Sequence, residues 1–154
     1  MTTNLRIDNI LGILNNIIKI YVMENEEVWQ KKKVCIIDDN DDIREIYRMK
    51  LTIEGYDVLT AKNGKEGMEI IRESHPVVIL LDIEMPVMNG IEVLAELKKD
   101  PVLVKIPVII LTNQDNEGAF KQVGEYNTAF YVIKALATPQ KVADLIKEVL
   151  RARR

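Results

Sequence analysis

Between residues 33 and 151 short apolar runs alternate with stretches of helical period. The runs at 34–37, 57–61, 77–81, 107–111 and 129–133 are four or five residues long, and most end at Asn, Asp, Thr or Lys. Short apolar runs of this kind predict strands covered on both faces, the habit of parallel sheets. The intervening segments, 43–51, 65–74, 91–100, about 116–125 and 138–151, carry apolar residues three and four apart and predict amphipathic helices. Gly55 is placed to stop the first of these. Thr138 and Pro139 supply an N-cap and a first-turn proline for the last. Five strands alternating with five helices predict an α/β fold, a doubly wound parallel sheet with right-handed crossovers.

The first thirty residues follow a different rule. Ile7, Ile10, Leu14, Ile17, Tyr21 and Val28 recur at alternating three- and four-residue steps, interrupted at Glu24, and Leu11 and Ile18 widen the stripe. This predicts a helix with one strongly apolar face, capped by Thr3 or Asn4. Such a face can pack on its own domain, receive a partner helix or pair with a second copy. A homodimer through residues 1–30 is the expectation carried forward. A start at Met23 would leave the helix out altogether. Residues 24–33 are charged and read as a linker anchored by Trp29. The chain thus divides into a helix and linker, 1–30, and a domain, 31–154.

Composition narrows the class. At 154 residues, 47% hydrophobic and 29% charged, the chain has the make-up of an ordinary globular domain. A net charge of −3 offers no basic surface for nucleic acid, and the terminal RARR reads as a solvated helix end. Arg6, Asp8, Asn9, Asn15, Asn16 and Lys19 interrupt the apolar stretch 5–23, against membrane insertion, and no leader pattern precedes it. A cytoplasmic location is expected. The single cysteine, Cys35, lies inside an apolar run and reads as a buried, inert thiol.

The chemistry collects at strand ends. The first strand delivers Asp38 and Asp39, the third Asp82, the fourth Thr112 and the fifth Lys134. In open α/β sheets ligands sit beyond these carboxyl ends. Three carboxylates there repel unless a cation neutralises them, and oxygen ligands favour Mg²⁺. A lysine and a threonine beside them suit a phosphoryl group in transfer, with an aspartate as nucleophile. Each residue has a quieter role open to it: Asp38 or Asp39 as a helix cap, Lys134 as a solvated loop lysine, Tyr131 as a half-buried strand aromatic.

Four motifs stand in register: IIDDN at 36–40, LLDIEMPVMNG at 80–90, ILTN at 110–113 and YVIK at 131–134. Through them residues 33–150 resemble the receiver domain of two-component response regulators, the family that includes the stand-alone chemotaxis receivers. The resemblance implies a flavodoxin-like strand order 2-1-3-4-5. It implies that Asp82 accepts a phosphoryl group from a histidine kinase, in a reaction the domain catalyses on itself rather than as an enzyme acting on another substrate. Asp39 and Asp82 would ligate Mg²⁺ directly, Asp38 through water, and the main-chain carbonyl of Glu84 would complete the protein's share of the shell. Lys134 would bond the phosphoryl oxygens, Thr112 would swing towards them, and Tyr131 would turn inward as the aromatic switch. The surface that changes would be the fourth helix, fifth strand and fifth helix of the domain, about 116–151. With only a basic tail beyond, output is expected through a downstream protein partner or a histidine phosphotransfer protein. The competing reading is a phosphorylation-independent scaffold built on the N-terminal helix.

Three departures from the family pattern stand out. Alanine follows Lys134 where the family usually has a proline, often cis. Asn113 follows Thr112 where a small residue is common, and Asn127–Thr128 replaces a glycine-alanine pair. Glu84, Asn113 and Gln114 would set the phosphoryl lifetime. His75 is expected on a surface loop, and Pro86 and Gly90 are expected to shape the loop after Asp82 without chemistry.

Overall fold

The computed structural model describes residues 10–20, 31–113, 117–126 and 128–153. The caps Thr3 and Asn4, Trp29, Gln114 and Asn127 lie outside the described residues. The chain forms two compact units, Met1–Lys31 and Lys32–Arg154. In the first, helix α1 spans 10–20.

The second unit is a five-stranded parallel sheet, β1 (Lys33–Ile37), β2 (Asp57–Ala61), β3 (Val78–Leu81), β4 (Val108–Thr112) and β5 (Phe130–Ile133). The strands lie in the order β2-β1-β3-β4-β5. The helices between and after them are α2 (Asp41–Ile53), α3 (Gly64–Ser74), α4 (Gly90–Lys99), α5 (Glu117–Gly124) and α6 (Pro139–Ala152). The five strands and five helices predicted between residues 33 and 151 are present, with described ends within a residue or two of the prediction, whereas the N-terminal helix predicted from Thr3 or Asn4 towards Val28 falls within the described residues only over 10–20.

Strand alternation divides the core. Cys35, Ile37, Ile79, Leu81, Val108 and Ile110 point to one face, where α3, α4 and α5 add Met68, Leu94 and Val123. Val34, Ile36, Val78, Leu80, Ile109 and Leu111 point to the other, under Tyr47 and Leu51 of α2 and Val142 and Ile146 of α6. Because both faces are covered, the central strands read as unbroken apolar runs. Cys35 is fully buried and burial pushes its thiol up to about 12, so it is inert as expected.

Helix ends follow local chemistry. Asn40, Asn63 and Asn89 each accept a backbone N–H at the start of α2, α3 and α4, and Glu92 completes a capping box with Asn89. Thr138 caps α6 as predicted, its Oγ1 accepting from Lys141 N at 3.2 Å. Gly55, at φ +92°, carries the chain out of α2. His75 is exposed and ends α3 in the left-handed region, its N–H donating to Ile71 O at 3.0 Å.

Candidate functional site

Register brings the functional residues to one edge. Ile37 pairs with Leu81 and Leu81 with Ile110, so Asp38 and Asp82 leave adjacent strands at the same level. Thr112, the last residue of β4, pairs with Ile133, directly before Lys134. Asp38 and Asp82 are buried, Thr112 fully so, and Asp39 is exposed at the mouth. The carboxylates Asp38, Asp39 and Asp82 each bring one oxygen within 4.8 Å of the others.

Lys134 closes the cluster. Its ammonium lies 2.5 Å from Asp38 Oδ2 and 2.9 Å from Asp82 Oδ2, with only 5% of its side chain exposed. It is therefore not the solvated loop lysine that a single-residue reading allowed. The Lys134–Ala135 peptide bond is trans, since none of the described bonds is cis. Lys134 begins a short 3-10 turn to Leu136 that carries the ammonium into the site without the family's proline.

Backbone groups fix the carboxylates. Ile83 N–H donates to Asp82 Oδ1 at 2.8 Å, and Asn40 N–H to Asp38 Oδ1 at 3.0 Å. Arg44, one turn into α2, donates to the Asp38 carbonyl at 2.6 Å and pairs with Asp41. Sequence reading missed this residue. Its only signal was a cation on the first turn of a helix whose start faces the acidic pair.

Burial raises the Asp82 carboxyl above its usual range, further supported by the charge of Asp38. The hydrogen bond and charge of Lys134 and the Ile83 N–H pull the other way and fall short. Burial would lower the Lys134 ammonium, but its bonds to Asp38 and Asp82 outweigh this and hold it above the usual value. Two buried carboxylates thus share one lysine, and the negative charge left over is what a divalent cation would neutralise.

A cleft of about 280 Å³ opens over this group, lined by Asp39, Asn40, Asp82, Glu84, Asn113 and Lys134. Asp39 and Glu84 also line a neighbouring, wider cleft of about 580 Å³. Asn113, one of the three departures, stands on the rim of the smaller opening. Gly90 passes so close beneath that a Cβ there would lie 2.2 Å from the Asp82 carbonyl oxygen, so this glycine shapes the loop as expected.

Tyr131 is half-buried on β5 and packs on the core face shared with α3, α4 and α5. Its ring meets Phe120 of α5 edge-on, centroids 5.4 Å apart at 79°. Sequence reading did not pair these two rings. Among the described residues no helix is long and apolar enough to cross a membrane.

The family described as response regulator receiver domain matches residues 34–147. Among similar proteins is a probable transcriptional regulator, ycf27, of Porphyra purpurea, 38% identical over 130 residues, covering 84% of this chain and 50% of the relative. The chain thus spans about half the length of that relative. The polar-differentiation response regulator DivK of Brucella ovis is 32% identical over 119 residues, covering 77% of this chain and 96% of that one. A solved CheY-like receiver domain protein from Methanospirillum hungatei is 27% identical with a TM-score of 0.73, covering 80% and 96% of the two chains.

Proposed function

The chain belongs to the response regulator receiver family, and from that premise we propose that it accepts a phosphoryl group on Asp82 from a histidine kinase and signals by the change this produces. The observation that carries the proposal is the single cluster at one sheet edge. Asp82 lies within bonding distance of Lys134, beside Asp38 and Asp39, under an open cleft.

One Asp82 oxygen attacks phosphorus as the donor's P–N bond breaks, and the electron pair leaves with the imidazole, which takes up a proton. Lys134 exchanges a carboxylate partner for a phosphoryl oxygen, and the buried Thr112 hydroxyl, at the neighbouring strand end, donates to another. Mg²⁺ held by Asp38, Asp39, Asp82 and the Glu84 carbonyl would neutralise charge on the transferring group. Positioning and charge neutralisation are most of what this chemistry requires, so the domain catalyses its own modification and the hydrolysis that reverses it.

The acyl phosphate then biases a two-state equilibrium through Thr112 and Tyr131. The surface that responds is α5, β5 and α6, where Phe120 and Leu136 stand exposed for a protein partner. Nucleic acid is not the proposed ligand, given the net charge of −3. A cytoplasmic location, where a kinase would meet it, goes with this role.

The test is intact mass after rapid quenching, with Mg²⁺ and acetyl phosphate as small donor. One added phosphoryl group, absent without metal and absent in Asp82→Asn, is the expected result. Failure to gain mass, together with no beryllofluoride binding, would overturn the proposal and leave a scaffold. Back-transfer to a histidine phosphotransfer protein would mark the chain as a relay intermediate rather than a terminal switch.

A further inference from the structure

Arg44 directs its guanidinium at a main-chain carbonyl. From one turn into α2, its Nη1 donates to the Asp38 carbonyl oxygen at 2.6 Å, a charge-assisted bond. Only 15% of the Arg44 side chain is exposed, whereas its other partner, Asp41, is 89% exposed, where an ion pair contributes little to stability. The Asp38 carbonyl lies just past the end of the β1 ladder, whose last residue, Ile37, pairs with Ala61 on one side and Leu81 on the other. Asp38 N–H still donates to the Ala61 carbonyl at 3.1 Å, so the sheet fixes this residue from its N-terminal side. Arg44 fixes it from the C-terminal side. The backbone N–H of Arg44 also donates to the Asn40 carbonyl at 3.0 Å. One residue thus bonds the backbone both before and after Asp39. Asp39 depends on this more than its neighbours do. Asp38 and Asp82 are held by burial, whereas Asp39 is exposed at the mouth, with one oxygen within 4.8 Å of an oxygen of each.

We infer that Arg44 is a positioning residue for divalent-cation binding: its bond to the Asp38 carbonyl holds the turn that carries Asp39 and keeps the three carboxylates converged before a metal arrives. This rests on the reading of the site as a Mg²⁺-dependent phosphoryl acceptor and names the residue that prepares it. Mg²⁺ demands near-ideal octahedral geometry at about 2.0–2.1 Å, so a carboxylate on a loose turn is a poor ligand. Mutual repulsion also drives converging carboxylates apart. A bond to the backbone restrains them while leaving every carboxylate oxygen to the metal. The guanidinium charge acts in the opposite direction, since it repels an arriving cation. Loss of a repelling charge tightens metal binding, and loss of a positioning bond weakens it, so the sign of the effect separates the two. Groups that hold a metal's ligands in place account for about 10–100-fold in affinity. A guanidinium already paired with Asp41 repels only weakly.

The test is titration of the full chain with Mn²⁺, followed by electron paramagnetic resonance, and displacement by Mg²⁺, since both metals take carboxylate and carbonyl oxygens. Arg44→Met keeps an apolar stem of similar length, removes every donor, and should weaken both metals by about 10–100-fold. Arg44→Lys keeps one donor and should fall between that variant and wild type. Arg48→Met is the control, one turn further along α2 where Arg48 pairs with Glu45, and should bind as wild type does. With acetyl phosphate, the half-saturating Mg²⁺ for mass gain should rise by the same factor in Arg44→Met while the rate at saturating Mg²⁺ is kept. Urea unfolding of each variant reads the fold separately. Unchanged or tighter metal binding in Arg44→Met would overturn the inference, as would a lysine variant no better than the methionine one. A lower urea midpoint with metal affinity intact would overturn it in favour of a structural role alone. A wild-type chain that binds neither metal would overturn it too. Metal binding that follows the expected order, without mass gain in any variant, would remove the phosphoryl reading and leave the role of Arg44 standing.

Discussion

Lys134 holds its ammonium 2.9 Å from Asp82 Oδ2, so the proposed nucleophile is already paired before any phosphoryl group arrives. Even so, burial keeps the Asp82 carboxyl above its usual range. A carboxyl whose pKa is raised on folding contributes stability below its unfolded value near 4, and that contribution is lost as pH climbs through the folded value. At neutral pH ionised Asp82 therefore works against the fold. Asp82→Asn keeps a polar side chain for the Lys134 and Ile83 donors and removes one of two like charges, an effect of about 1 kcal/mol in a partly screened site. Urea unfolding should show the variant more stable by about that amount at pH 7, with the gap closing towards pH 3. A variant less stable than wild type at pH 7 would mean that the Lys134 pairing outweighs burial.

Removing the lysine has the opposite sign. Lys134→Gln leaves Asp38 and Asp82 buried beside each other, and breaking a buried pair costs roughly 3–5 kcal/mol. The wild-type ammonium is held above its usual value, so its contribution is present below pH about 10.5 and lost at higher pH. The variant should unfold at markedly lower urea at pH 7, recover part of the loss at pH 4 where carboxylates protonate, and recover part in millimolar Mg²⁺. Equal midpoints with and without Mg²⁺ would count against the three carboxylates as a metal site. Phosphoryl acceptance from acetyl phosphate should fall at least a hundredfold.

The strands and the residues at their ends were legible because a sheet covered on both faces leaves unbroken apolar runs. Asp38, Asp82 and Lys134 interrupt or end those runs conspicuously. Less legible was how the site is supported. Arg44 reaches a backbone carbonyl across the turn between β1 and α2, and no spacing rule specifies that reach. Phe120 meets Tyr131 from a separate element, a contact that only the tertiary fold creates. His75 and Val87 both adopt positive φ without being glycine, so the sequence carried no sign of either turn.

Gly90 supports Asp82 from below. Its N–H donates to the Ile83 carbonyl at 2.9 Å, and its missing Cβ makes room for the Asp82 carbonyl. Gly90→Ala would set a methyl against backbone atoms at both Asp82 and Ile83, and overpacking of this kind costs about 1–3 kcal/mol or more. Relief by backbone movement would displace the acceptor itself. The expected outcome is a lower urea midpoint together with slower mass gain from acetyl phosphate. Gly124→Ala, in a helix end with no atom within 4 Å of the added Cβ, is the control, and should be neutral or slightly stabilising. Normal acceptance in a destabilised Gly90→Ala would show that the loop relaxes away from Asp82 rather than towards it.

Val87 stands in the same loop at φ +71°, in a three-residue turn closed by Met88 N–H donating to the Pro86 carbonyl at 2.8 Å. A positive φ costs an L-residue roughly 1–2 kcal/mol, and a β-branched side chain tolerates it poorly. Val87 is 77% exposed, so little packing offsets the strain. Glycine relieves it at an entropic cost in the unfolded chain of about 0.5–1 kcal/mol. Val87→Gly should therefore stabilise the domain by up to about 1 kcal/mol, read as a higher urea midpoint at unchanged slope. Phosphoryl acceptance tests what the strain is for. An unchanged rate in the stabilised variant would make the strain incidental to the site. A slower rate would mean that valine's stiffness, held against its own backbone preference, keeps the Asp82 loop in place.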